Sequence, residues 1–204
     1  MEVASASVGL RPDELRAAVR ERYAAVSTRP EARYPFRVGR DFAEALGYPP
    51  DVLDTVPLAA TEAFTGVATP IFRADLRPGE TVLDLGCGGG LDLILAARAV
   101  GPRGRAIGVD MAEPMVARAT ANLRALRLDQ AEAVVGCAEA LPLPDGSADC
   151  VVANGILNLA PDKSAVLSEV ARVLRSGGRF VLAETTLRHE LEPGMVQSLE
   201  DWFR

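Results

Sequence analysis

Hydrophobic and polar positions follow two different spacings in the two parts of the chain. Over residues 13–27, apolar side chains recur at the three- and four-residue spacing of an amphipathic helix, and Pro12 stands where a first-turn proline is tolerated. Prolines then interrupt the pattern as far as Leu58, which leaves room only for short helices such as residues 40–46. We therefore predict an N-terminal helical cap and substrate region over residues 1–75.

Residues 76–204 form the second part, in which short β-rich runs alternate with helical ones. The pattern predicts strands at 81–86, 105–110, 131–136, 150–155 and 179–185, helices at 91–100, 113–126 and 162–174, and a turn at 175–178. Such alternation specifies parallel βαβ units with right-handed crossovers and helices on both faces of the sheet. We expect an α/β fold with a Rossmann-like, doubly wound, mainly parallel sheet.

Composition and charge indicate which classes of protein the sequence does not fit. The 204 residues, 49% hydrophobic and 25% charged, are enough for a globular domain with a real core. A formal net charge of -6 disfavours a general nucleic-acid role. No apolar run approaches the roughly 20 residues that span a bilayer, and the first residues lack the pattern of a signal peptide. We expect a cytoplasmic protein that acts on small molecules and binds neither nucleic acid nor membrane.

The three cysteines, Cys87, Cys137 and Cys150, form no C-x-x-C pair, and His189 is the only histidine. An odd number of cysteines in apolar or glycine-rich contexts is typical of a reducing compartment, without a disulfide framework. Zinc sites need several Cys or His ligands. We expect no metal.

A glycine-rich turn closes the first predicted strand, with Gly86, Gly88 and Gly90 at alternate positions and Asp84 two residues upstream. In an open parallel sheet, ligands bind beyond the carboxyl ends of the strands. Glycines there let the backbone turn sharply and approach a ligand, because they carry no Cβ. The turn is therefore the first candidate for a binding site.

Two other nucleotide-binding motifs do not fit this turn. A P-loop needs Lys followed by Ser or Thr, and neither pair follows the turn. A dinucleotide fingerprint needs a third glycine where Leu91 or Leu93 stands. The G-x-G-x-G spacing with an upstream acid instead resembles the form found in proteins that bind S-adenosylmethionine (SAM).

The second predicted strand ends at Asp110, 24 residues after Gly86. An acidic side chain at that place can accept hydrogen bonds from both hydroxyls of a ribose, with Met111 against the adenine. Asp110 could equally cap the helix that we expect to begin at Ala112, and the two roles are compatible.

Together these segments resemble class I SAM-dependent methyltransferases, and among them the arsenite methyltransferases and the ubiquinone/menaquinone C-methyltransferases. The resemblance runs from about Leu46 to Leu187 and includes LRPGETVLDLGCGGGLD, GRAIGVDM and GCAEALPLPDGSADCVVANGILNLAPDK. It implies that SAM is the cofactor and S-adenosylhomocysteine (SAH) the product. The implied cofactor contacts are Asp84, Gly86, Cys87 and Gly88 at the methionine part, Asp110 at the ribose, Met111, Ala138 and Glu139 at the adenine, and Asn154 at the end of the fourth strand.

The sequence departs from arsenite methyltransferases at their thiols. Those enzymes hold As(III) with cysteine thiolates, because a soft centre needs soft ligands. Their G-C-G-N-P and N-C-V-I-N-L segments resemble residues 66–70 and 154–159 here, and both cysteines are absent. Cys137 stands where many relatives carry an acid near the adenine. Asp92 matches an acidic position of the arsenite group, or is a first-turn carboxylate favoured by the helix dipole.

A second departure concerns the end of the sequence. In this class, a helix and a β-hairpin after the fifth strand complete a seven-stranded sheet. Residues 193–203 fit the helix, and none remain for the hairpin. We expect either a truncated sequence or a sheet edge that is completed by another copy or another polypeptide, since an unpaired edge favours pairing.

Methyl transfer from a sulfonium mainly requires that the acceptor be placed in line with the S–CH3 bond in a dry pocket. Where the acceptor needs a base, Glu184 after the fifth strand is the candidate, unless it is a solvated strand-end residue. Tyr23, Tyr34 and Phe64 are candidates for an apolar substrate pocket, with ordinary core packing as the alternative. The predicted function is methyl transfer to the oxygen, carbon or nitrogen of a small molecule, including specialised metabolites. The alternatives are a metalloid methyltransferase and a non-catalytic SAM-binding subunit.

Overall fold

A computed structural model describes residues 11–186 and His189, and the helix expected at 193–203 lies outside them. The sheet has five strands in the order β3-β2-β1-β4-β5, and every neighbouring pair is parallel. Their bounds are Thr81–Leu85 (β1), Arg105–Asp110 (β2), Ala131–Val135 (β3), Ala148–Asn154 (β4) and Leu174–Ala183 (β5). The expected parallel α/β sheet is therefore confirmed.

Seven helices accompany these strands in the described part of the chain. They are Pro12–Thr28 (α1), Arg40–Ala45 (α2), Pro50–Leu53 (α3), Leu58–Glu62 (α4), Leu91–Val100 (α5), Glu113–Ala125 (α6) and Lys163–Val173 (α7), with a 3₁₀ turn at Pro70–Arg73. Prolines in the first turn of α1, α3 and α6 are compatible with a helix start, since those N–H groups have no intrahelical partner. None of these helices is long and apolar enough to span a membrane.

The central strands are buried on both faces, which explains why they read as nearly continuous apolar runs. Val82 and Val152 face a cluster with α5 and part of the cap, whereas Leu83 and Val151 face a cluster with α7. The doubly wound arrangement therefore follows from side chains that alternate between two apolar layers.

The N-terminal helices lie over the carboxyl ends of the strands. Tyr48 and Phe64 share the cluster of β1 and α5, and Val19 of α1 packs with Met111 and Leu159. Ser27 Oγ at the end of α1 donates to the carbonyl of Pro114, at 2.9 Å. This packing positions the cap directly above the glycine turn, and the domain boundary at residue 75 stays a prediction.

One local prediction was wrong. Residues 175–178, expected to form a turn before the fifth strand, lie inside β5. Leu174 already pairs with Ala148, and the ladder resumes at the pair Arg179 and Cys150 after a register shift. The glycines allow this irregularity, since Gly177 has φ +78. The segment is therefore a bulged continuation of the strand.

Candidate functional site

A cavity opens where β1, β2 and β4 end, between the glycine turn and the cap. It encloses about 980 Å³ of space outside protein atoms, part of which is open solvent. The polar and turn residues that line it are Thr65, Gly66, Asp84, Gly86, Cys87, Gly88, Gly89, Asp92, Asp110, Gly136, Glu139, Asn154 and Gly155. The apolar and aromatic ones are Val19, Tyr23, Ala60, Ala63, Phe64, Leu85, Leu91, Val109, Met111, Ala138, Ile156, Leu159 and Ala160.

The glycine turn is tied to β2. The amides of Gly86 and Cys87 donate to the carbonyl of Val109 at 2.8 and 3.1 Å, and the Gly88 amide donates to Asp110 Oδ2 at 2.9 Å. Gly86 and Gly88 have φ +74 and +51, a region in which side chains are strained. Glycine at these positions therefore makes the turn without the backbone strain that another residue would introduce.

Gly88 and Gly86 have different surroundings. A Cβ added at Gly86 would collide with the side chain of Ile156, which lies directly against the turn. A Cβ added at Gly88 would meet no protein atom within 4 Å. Gly88 therefore exposes backbone to the cavity, and a ligand can approach it closely.

We expect Gly88→Ala to weaken SAH binding by about 10-fold or more, because its methyl group would occupy space next to the ligand. Gly146→Ala is the matched control: Gly146 has φ +58, its added Cβ meets only Arg175 Cα at 3.8 Å, and it precedes β4 at the opposite edge of the sheet. Both variants should lose about 1 kcal/mol of folding free energy to backbone strain. Equal SAH affinities in calorimetric titrations of the two would contradict this prediction.

Cys87 lines the cavity. Its thiol points toward β2, where Sγ lies 2.7 Å from the position that a Cβ of Gly108 would take. Burial raises the pKa of this thiol well above its usual value. The side chain therefore packs in the core, and no contact from it to a ligand is expected.

Asp110 ends β2 and holds two backbone amides. Its Oδ2 accepts from Gly88 and its Oδ1 accepts from Ala112 at 2.9 Å, just before α6. Burial raises the pKa of Asp110, and these bonds lower it in part. Each carboxylate oxygen can accept a second hydrogen bond. The residue thus orders the turn and the helix start while it lines the cavity.

Asp84 is the fourth of the five residues of β1 and is 3% exposed. Its Oδ2 has no hydrogen-bond partner among the described residues. Burial raises the pKa of Asp84 well above its usual value, and the charges of Asp92 and Asp110 raise it further. A buried carboxylate oxygen without a partner is costly, so a cationic or hydrogen-bonding ligand group there would be stabilising.

A buried network joins the cap to the turn. Tyr48 Oη donates to Asp92 Oδ1 at 2.6 Å, and Asn154 Nδ2 donates to Asp92 Oδ2 at 3.1 Å. Asn154 Oδ1 accepts from the amides of Val67 and Ala68 at 2.8 and 3.1 Å. Asn154 therefore holds the segment after Gly66 in place. Sequence reasoning missed Tyr48, since nothing in its local pattern indicates a partner 44 positions away.

At the other end of the cavity, Glu139 is bound from two sides. Arg16 of α1 donates to Glu139 Oε1 at 3.1 Å, and the thiol of Cys137 donates to Oε2 at 2.7 Å. Val19 and Tyr23, on the same helix as Arg16, line the cavity. The ion pair therefore fixes α1 across the mouth of the site, and Arg16 is a second residue that sequence reasoning missed.

The structure brings some of the candidate substrate and catalytic residues to the cavity and leaves others away from it. Tyr23 and Phe64 line it. Tyr34 does not: its hydroxyl donates to the carbonyl of Arg29 and its ring stacks on Phe36 at 5.7 Å. Glu184 is also outside the wall, where it accepts from the amides of Asn158 and Thr185 at 3.1 and 2.8 Å. Roles for Tyr34 and Glu184 stay predictions.

Carboxylates gather at one end of the cavity and apolar side chains at the other. Asp84, Asp92 and Asp110 lie near the turn, whereas none of the lining residues described is Lys, Arg or His. Such a site favours a ligand with cationic groups and hydroxyls, next to a second, apolar ligand.

Comparisons with known proteins agree with this geometry. A family model described as a methyltransferase domain matches residues 76–204. An arsenite methyltransferase of Halobacterium salinarum is 38% identical over 188 residues, which are 85% of this chain and 48% of that protein. A nocamycin O-methyltransferase of Saccharothrix syringae is 46% identical over 109 residues, 53% of this chain and 39% of that protein. The chain thus spans less than half the length of these two relatives.

Among solved structures, an arsenic(III) S-adenosylmethionine methyltransferase from Chlamydomonas reinhardtii superimposes with a TM-score of 0.61 at 33% identity. The match covers 76% of this chain and 51% of that chain. At this identity the likeness extends beyond the fold to the family.

Proposed function

The chain belongs to the SAM-dependent methyltransferases, and on that premise we propose that it transfers the methyl group of SAM to an oxygen, carbon or nitrogen atom of a small organic acceptor. The proposal rests on one cavity that combines carboxylates at the glycine turn with apolar walls under the cap. The first part suits the cofactor and the second suits an acceptor.

The residues at the turn fit SAM. The unpartnered Oδ2 of Asp84 suits the ammonium of its methionine part, and the remaining acceptor capacity of Asp110 suits the ribose hydroxyls. Gly88 leaves the backbone open to the ligand. Met111, Ala138 and Glu139 would border the adenine. When bound, SAM supplies a methyl group activated by its sulfonium.

The remaining task of the protein is to orient the acceptor and exclude water. Val19 and Tyr23 of α1 and Phe64 of the cap would cover the acceptor, and Tyr48 packs edge-on against Phe64 at 5.1 Å between ring centres. Fixing two reactants in a dry pocket accelerates their reaction without acid–base groups. An acceptor with apolar surface gains most from these walls.

A metalloid acceptor is the second candidate, because two of the relatives are named for arsenic. The positions that resemble their thiols are Val67 and Gly155, and Val67 Cγ1 lies 3.1 Å from the Cβ position of Gly155. Two ligands of one arsenic atom would have to be neighbours in this way. Neither position carries sulfur, while Cys87 and Cys150 are buried and Cys137 binds Glu139. The soft ligands that As(III) needs are therefore absent.

The test measures SAH formation by the full chain with SAM and a panel of phenols, enols, amines and arsenite. We expect turnover with an organic acceptor and none with arsenite. Phe64→Ala should raise KM for that acceptor by about 10-fold, since truncating a large apolar side chain loses contact area, while the Kd of SAH stays within about 2-fold. Arsenite-dependent SAH formation that is lost when Cys87, Cys137 or Cys150 is changed to Ser would favour the metalloid candidate instead. Tight SAH binding without turnover of any acceptor would favour a non-catalytic subunit.

A further inference from the structure

Asp92 is a buried carboxylate with no cation of its own. The residue is 6% exposed and lines the cavity, and its two oxygens accept hydrogen bonds from the neutral groups of Tyr48 and Asn154. No ion pair to Asp92 is found in the described part of the chain. Buried carboxylates are normally paired with a cation, because neutral donors only partly replace the water that is lost.

Asp84 lies at the same end of the cavity and likewise has no ion-pair partner among the described residues. It is 3% exposed, its Oδ2 is without a partner among the described residues, and its pKa is raised by burial and by the charge of Asp92. The unpartnered oxygen is independent evidence that a ligand group belongs here, since a buried acceptor without a donor is rare in folded proteins. The neighbouring carboxylates of Asp84 and Asp92 therefore both lack a paired cation in the described part of the chain.

A ligand with two cationic centres would compensate both carboxylates. SAM has two, an α-ammonium and a sulfonium, whereas SAH retains only the ammonium. Resting on the proposed function, we propose that Asp92 provides the charge that compensates the sulfonium, as Asp84 provides the one for the ammonium. Tyr48 and Asn154 are then positioning residues that hold the Asp92 carboxylate toward the cavity.

This arrangement makes the site sensitive to the charge of the cofactor. Once the methyl group has been transferred, the product is a neutral thioether and Asp92 is again without a cation. The product is therefore held less firmly than it would be beside a neutral residue, which favours exchange of SAH for SAM. Discrimination between the two ligands is the property that distinguishes this role from a purely structural one.

The test is calorimetric titration of the full chain with SAM and with SAH. We expect Asp92→Asn to lower the ratio Kd(SAH)/Kd(SAM) by about 10-fold, mainly because the binding of SAM becomes weaker. Asp145→Asn is the matched control, because it removes a carboxylate whose side chain is 81% exposed and does not line the cavity. Its ratio Kd(SAH)/Kd(SAM) should stay within about 3-fold of that of the wild type. Equal weakening of both ligands by Asp92→Asn would overturn the inference.

A titration of the unmodified protein avoids any folding defect of the variants. Burial raises the pKa of Asp92 to about 6, although Tyr48 and Asn154 lower it in part. The groups that face this carboxylate are the Tyr48 hydroxyl, the Asn154 amide and the carboxyl of Asp84. Protonation of Asp84 should raise the Kd values of SAM and SAH by the same factor, since both ligands carry the ammonium. A change in the ratio of the two Kd values therefore reports the protonation of Asp92.

We expect Kd(SAH)/Kd(SAM) to fall as the pH is lowered from 8 through the pKa of Asp92 near 6. A ratio that is constant with pH would overturn the inference even if both ligands bind. Absence of binding by either ligand at any pH would instead contradict the proposed function itself. The two failures are therefore distinguishable.

Discussion

Asp84→Asn should weaken SAH binding by about 100-fold and at the same time stabilise the ligand-free protein at pH 8. Binding is lost because the amide removes the negative charge that we assign to the cofactor ammonium. Stability rises because the substitution also removes a buried carboxylate whose Oδ2 is without a partner in the described part of the chain. Loss of function with a gain in stability is the signature of a binding residue.

The effect of Asp84→Asn on stability has a defined dependence on pH. The pKa of Asp84 is raised in the folded protein, first by burial and then by Asp92 and Asp110. The folded state therefore keeps the proton over a range in which the unfolded state has lost it. Its contribution to stability falls as the pH rises from the unfolded pKa to the folded one. The advantage of the Asn variant should grow from pH 4 to pH 8.

Thermal unfolding of the ligand-free proteins measures this difference. A gain of about 1 kcal/mol corresponds to a rise of about 2–4 °C in Tm for a chain of this size. Asp145→Asn is the control for a surface carboxylate, since the Asp145 side chain is 81% exposed and pairs with Arg172. It should leave SAH binding unchanged. Unchanged SAH affinity in Asp84→Asn would contradict the assignment of this residue.

Asp110→Ala should also weaken SAH binding by about 100-fold, with a loss of stability instead of a gain. The alanine removes the acceptor for the ribose hydroxyls and releases the amides of Gly88 and Ala112. Both hydrogen bonds are part-buried and have a charged acceptor, and such a bond contributes about 1.5–3 kcal/mol. Both the site and the turn that forms it should therefore be impaired.

The variant Asp110→Asn separates the effect of Asp110 on SAH binding from its effect on stability. Its amide oxygen still accepts one of the two backbone hydrogen bonds, so the loss of stability should be smaller than with alanine. Calorimetry gives the affinity and thermal unfolding the stability of each variant. SAH binding by Asp110→Ala within about 3-fold of the wild type would refute the ribose assignment.

The sheet and the glycine turn could be predicted because their determinants are local. Strands buried on both faces are runs of apolar residues, and Gly86 and Gly88 occupy backbone conformations that favour glycine. Parallel strands end at one edge, so Asp84 and Asp110 were expected to lie together. The structure brings both of them to one cavity.

Other parts of the site could not be predicted because they depend on contacts between residues that are far apart in the sequence. Arg16 and Glu139 are 123 positions apart, and Tyr48 lies in a proline-interrupted region without a periodic pattern. The direction of a side chain in a turn cannot be predicted from local sequence either: Cys87 lines the cavity, but its thiol faces β2. A contact of Cys87 with the cofactor stays a prediction. Glu184 follows a strand, yet it bonds to neighbouring amides outside the cavity wall.

Direct binding of SAH to the unmodified 204-residue chain tests the central claim, that the cavity between the glycine turn and the cap is a SAM site. We expect a one-site calorimetric titration with a Kd on the order of micromolar, and a weaker affinity in Asp110→Ala. No heat of binding and no thermal stabilisation at about 1 mM SAH would contradict it, because a ligand at about 1,000 times its Kd should stabilise the folded state by about 4.1 kcal/mol.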